Sequence, residues 1–94
     1  MDVVTSWTGA RADALRRALR MTNEAFAERF PVAVRTVAYW RERPGSVPQP
    51  AIQEALDTML AQAPELARAQ FWLIAAQPGA LSEEARFLIA LFAV

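Results

Sequence analysis

Met21-Thr22-Asn23-Glu24-Ala25-Phe26-Ala27-Glu28-Arg29-Phe30, then Pro31-Val32-Ala33, then Val34-Arg35-Thr36-Val37-Ala38-Tyr39-Trp40-Arg41-Glu42-Arg43 is the stretch that decides the fold. Apolar residues recur at helical spacing on both sides of a short break. Thr22 is placed to cap the first helix, since its hydroxyl oxygen can accept an N–H that the helix leaves without a partner. Pro31 ends that helix because it has no N–H to continue the ladder. A turn of about three residues then sets the second helix at a steep angle to the first. Phe26 and Phe30 form the inward face of the first helix, and Ala27 is small enough for close approach. Val32 fills the turn. Val37 and Trp40, three apart, form the inward face of the second helix.

The outward face of that second helix has a different character. At about 100° per residue, Val34, Arg35, Ala38, Tyr39 and Glu42 lie on one side. Small residues, an arginine and a phenol suit insertion into the major groove of DNA. Arg35 can donate two hydrogen bonds to guanine O6 and N7, and Val34 and Ala38 can touch a thymine methyl. The expected base contacts are Val34, Arg35, Ala38 and Tyr39. The expected phosphate contacts are Thr22, Asn23, Thr36, Arg41 and Arg43. Arg16, Arg17 and Arg20 read as decoration of the preceding helix, with phosphate contact as the alternative.

Residues 21–43 resemble the helix-turn-helix of the Xre/lambda-repressor-like regulators, whose motif reads L-T-Q-E-E-L-A-E-x-L-G-V-S-x-x-T-I-x-x-W-E. Met21, Thr22, Glu24, Phe26, Ala27, Glu28, Phe30, Val32, Thr36, Val37 and Trp40 fall on its positions without a gap. Val34-Arg35-Thr36-Val37 with Trp40, the opening Trp7-Thr8-Gly9 and the later run Pro48 to Asp57 are similar to the actinobacterial branch of that family. The resemblance covers about residues 7–60. It implies a compact helical domain, dimeric operator binding and a role in transcription. Three departures from the motif matter: Pro31 stands for its glycine, Ala33 for its capping serine and Asn23 for its glutamine.

Working outward, the whole chain of 94 residues is helical in pattern. Breaks fall at Gly9, Pro31, Pro44-Gly45, Pro48, Pro50, Pro64 and Pro78-Gly79. The spacing predicts helices over about Thr8–Arg20, Thr22–Phe30 and Val34–Arg43. It predicts three more from Pro50, after Pro64, and from Ser82 to Val94. The spacing therefore makes the fold class all-α, and with the resemblance it implies a compact five- to six-helix lambda-repressor-like domain with apolar C-terminal helices. Residues 7–62 form the expected DNA-binding domain and residues 64–94 a helical extension.

Net charge is zero, but its distribution is uneven. Arg11 to Arg43 holds eight arginines against four acids, and Pro44 to Val94 holds two against five. The basic half coincides with the motif. Cysteine and histidine are absent, which removes thiol chemistry, imidazole bases and the usual zinc ligands. No cofactor or metal is expected, and no catalytic residue. Glu83 and Glu84 are adjacent on a helix and point about 100° apart, away from any shared substrate. No apolar run approaches the roughly 18 residues that span a bilayer, so no membrane association is expected and the location is read as cytoplasmic, at the nucleoid.

Phe71-Trp72-Leu73-Ile74 and Phe87-Leu88-Ile89-Ala90-Leu91-Phe92 are apolar on every side and must be covered on every side. Phe71, Trp72, Ile74, Phe87, Leu88, Leu91 and Phe92 are the expected interface, with a homodimer or a protein partner. A homodimer matches the two-fold symmetry of operators. The principal expectation is a sequence-specific regulator on double-stranded DNA. The alternative is a protein-interaction module, such as an adaptor, anti-repressor or antitoxin-like partner, that keeps the fold alone.

Overall fold

The computed structural model describes residues 6–30 and 32–76. They form five helices: α1 (Gly9–Ala18), α2 (Asn23–Glu28), α3 (Val34–Glu42), α4 (Pro50–Gln62) and α5 (Glu65–Ala75). No strand occurs among the described residues, so the domain is all-α. Pro31 and the expected helix from Ser82 lie outside the described residues.

Each helix boundary has a local cause. Thr8 caps α1, its Oγ1 accepting the Arg11 N–H at 3.3 Å. Thr22 caps α2 in the same way, accepting the Ala25 N–H at 3.1 Å. Pro50 stands in the first turn of α4, where its missing N–H has no helical partner to lose. The C-terminal end of α1 comes earlier than its apolar spacing predicts. Arg20 adopts φ 57°, in the left-handed region, and so leaves the helix. Its N–H donates to the Arg17 carbonyl at 3.0 Å, and the Met21 N–H donates to the Arg16 carbonyl at 3.1 Å. This pair of bonds is a Schellman cap, which satisfies carbonyls that the last turn would otherwise leave open.

α1 is the central element. It packs against α3 and α5, and α3 packs in turn against α2. Leu15, Phe26, Val37, Leu56 and Phe71 are the largest fully buried side chains. Phe26 meets Phe30 edge-on with ring centres 4.9 Å apart, and both meet Trp40 at 6.4 Å. These edge-to-face contacts lock α2 onto α3. Trp7 ties the far side together. Its ring lies 5.7 Å from Phe71 of α5, and its Nε1–H donates to Asp57 Oδ1 of α4 at 2.7 Å.

This packing corrects one expected interface residue. Phe71 is fully buried within the chain, in one core with Leu15 and Phe26. An apolar run demands burial without specifying against what, and here Trp7, far away in sequence, supplies the cover. Trp72 and Ile74 are half-buried against the same core. α5 therefore shares the core of α1–α4, across the expected boundary at residues 62–64.

Arg16 holds the α1–α2 turn. Its Nε and Nη2 donate to Asp13 Oδ1 at 3.1 and 3.0 Å, and its Nη1 donates to the Met21 carbonyl at 2.9 Å. Both side chains are largely shielded from water. Replacing Arg16 by Met would keep the aliphatic packing but leave Asp13 and the Met21 carbonyl without their donor. A loss of about 2 kcal/mol is expected in urea unfolding, below the range for fully buried pairs because some solvent remains.

Candidate nucleic-acid interface

α3 has two sides of opposite character. Val37 and Trp40 are buried, and the Trp40 ring meets Phe26 of α2. The other side faces solvent: Val34 is 42% and Tyr39 50% exposed, and Arg35 between them is exposed as well. Ala38 is half-buried on the same side. The four expected base contacts thus share one surface.

The expected phosphate contacts are more scattered. Thr22 is exposed, but its oxygen already accepts the α2 cap bond, leaving its O–H free to donate. Asn23 and Thr36 are half-buried. Thr36 lies on the α4 side of α3, where with Val32, Tyr39, Val47 and Ile52 it lines a groove of about 430 Å³. Arg41 is turned about 120° from Arg35 around the helix. It lines a groove of about 570 Å³ with Arg11 and Arg17 of α1, against Trp40 and Ile74. Arg43 ends α3 with its side chain exposed. Its carbonyl accepts both the N–H and the hydroxyl of Ser46, at 3.0 and 2.7 Å.

The start of α3 is open as the sequence predicts. Ala33 offers no side-chain cap, and the Thr36 N–H instead donates to the Ala33 carbonyl at 2.9 Å. Before it, the Val32 N–H donates to the Phe30 carbonyl at 2.8 Å, which tightens the entry to the turn.

Sequence reasoning missed the structural roles of Arg16 and Gly9. The Asp13–Arg16 pair was legible at i, i+3 spacing, but the reach to Met21 was not. On α5 the open positions are Leu66 and Leu73, 75% and 62% exposed, rather than Phe71. Phe87, Leu88, Leu91 and Phe92 lie outside the described residues. Among the described residues no helix is long and apolar enough to cross a membrane.

No family model matches the chain, and no curated protein or solved structure matches it either.

Proposed function

We propose that this chain is a sequence-specific DNA-binding regulator of the Xre/lambda-repressor-like kind, with α3 as its recognition helix. The observation that carries the reading is the exposed Val34-Arg35-Tyr39 surface on a helix whose opposite side is fixed by Val37 and Trp40. A rigid helix with a free arginine between short and aromatic neighbours meets the needs of major-groove readout. The surplus of arginine between residues 11 and 43 adds attraction to phosphate.

In this reading Arg35 pairs with a guanine edge, and Val34 and Ala38 meet thymine methyls. Tyr39 reaches a base or the neighbouring phosphate. Thr22, Asn23 and Arg43 hold the backbone, and Arg41 engages phosphate from the α1 side. Arg35→Ala is expected to weaken binding to a selected duplex by roughly 1–3 kcal/mol and to relax preference at one base pair. Its melting temperature should stay unchanged, because Arg35 is exposed and has no structural partner among the described residues. Unaltered affinity and preference in this variant would remove α3 from the reading role.

A dimer is part of the proposal. Two copies would place two recognition helices about 34 Å apart, one turn of DNA, and sedimentation with and without an operator measures the stoichiometry. A second reading, a protein-interaction module, is favoured by the exposed Leu66 and Leu73 of α5. It predicts a domain that folds normally and enriches no DNA sequence.

A further inference from the structure

We propose that Arg20 is a dedicated DNA-backbone contact, kept at the α1–α2 turn at the expense of stability; this rests on the DNA-binding reading above. Arg20 is the C′ residue of the α1 cap and the only non-glycine residue with positive φ among the described residues, at 57°. Glycine is the ordinary choice there, because a Cβ in the left-handed region crowds the following carbonyl oxygen.

The described residues supply no structural reason for an arginine at this point. The turn is already held by the two Schellman bonds, from Arg20 N–H to Arg17 and from Met21 N–H to Arg16. It is held again by the Arg16 guanidinium on the Met21 carbonyl. Both restraints use the backbone of residues 20 and 21 or the side chain of Arg16, and neither uses the Arg20 side chain. That side chain is exposed. The one ion pair among the described residues is Arg16–Asp13, so Arg20 is not paired with Glu24 four residues on. A strained backbone that carries a charge with no partner among the described residues is explained when the charge is used outside the fold.

Its position says where. Arg20 stands two residues before the Thr22 cap, within about 7 Å of chain. It therefore marks the bend that leads into α2, the first helix of the motif. In helix-turn-helix proteins that first helix crosses the DNA backbone while the second enters the groove. A guanidinium at this bend meets phosphate, which it can grip through two parallel N–H···O bonds. Such a contact carries no base information and fixes the register at which Arg35 reaches the groove.

The test compares the wild-type chain with Arg20→Gly, Arg20→Asn and Arg20→Lys, by thermal melting and by titration of a selected duplex at several salt concentrations. Glycine and asparagine relieve the strain and remove the charge. Both should melt higher, by roughly 4 °C for glycine. Both should bind roughly tenfold more weakly at about 50 mM salt. The slope of log affinity against log salt should fall by about 0.9 for each phosphate that Arg20 no longer neutralises. Lysine keeps the charge and the strain but not the planar fork, so it should melt like wild type, keep the wild-type salt slope, and bind with an affinity between those of wild type and Arg20→Gly. If Arg20→Gly binds with wild-type affinity and salt slope, the inference is overturned while the DNA-binding reading stands. If the wild-type chain itself binds no duplex at low salt, that reading falls and takes the inference with it.

Discussion

Gly9→Ala is expected to lower the melting temperature by roughly 12–24 °C, the equivalent of about 3 kcal/mol in a domain of this size. Helix propensity alone gives the opposite sign, since alanine is favoured over glycine by about 1 kcal/mol inside a helix. Local geometry decides the matter. A Cβ built on Gly9 would lie 2.5 Å from the Arg43 carbonyl oxygen, 2.6 Å from that of Trp40 and 2.7 Å from Ser46 Oγ. Two of the three are backbone atoms at the end of α3, which cannot rotate away. They can move only if the start of α1 separates from the loop after α3. That separation would break the Gly9 N–H bond to the Ser46 carbonyl (2.8 Å) and the Ala10 N–H bond to the Pro44 carbonyl (3.0 Å). Overpacking and broken hydrogen bonds therefore act in the same direction. A melting curve followed by circular dichroism checks the value, and a variant that melts within a degree of wild type would mean that the two backbones do not approach so closely.

The second large effect is expected at Phe26. Its side chain is fully buried and joins Phe30 and Trp40 in one edge-to-face cluster. α2 has six residues, too few for a helix to persist without packing. Phe26→Ala would take away its main anchor on α3 and open a cavity beside Trp40. The expected loss is 3–5 kcal/mol on the scale of buried aromatic truncations, against a total of roughly 5–14 kcal/mol for a chain of this length. Urea unfolding should show the midpoint falling with little change in slope. Phe26→Leu, which keeps most of the volume, should lose less than about 1.5 kcal/mol. A loss below 1 kcal/mol in the alanine variant would show that α2 is held by other contacts.

The elements that were legible in the sequence are those whose cause is local. The Thr22 cap, the Phe26–Phe30 face and the Val37–Trp40 face each depend on residues three or four apart, and each stands as expected. Phe71 shows where that logic stops. Its apolar neighbours require burial, but its partner Trp7 lies at the other end of the described chain, and no spacing rule links them. Trp7 and Asp57 are separated by 50 residues, and their hydrogen bond likewise leaves no mark in the pattern. Gly9 was visible only as a break before α1. Its need for a bare Cα comes from the α3 carbonyls and becomes apparent once the helices are packed. At the candidate interface, periodicity placed Val34, Arg35, Ala38 and Tyr39 on one face, and their exposure follows from it. By the same periodicity Arg41 lies next to Val34 and about 120° from Arg35, and only the packing of α1 shows that Arg11 and Arg17 accompany it there.

The central claim is that the exposed face of α3 reads DNA. Selection of bound sequences from a pool of random duplexes, at low salt and with the full chain, tests it most directly. A short motif should be enriched, with a guanine whose preference disappears in Arg35→Ala, and its affinity should fall steeply as salt is raised. Recovery of the pool unchanged, by a chain that melts cooperatively, would contradict the claim.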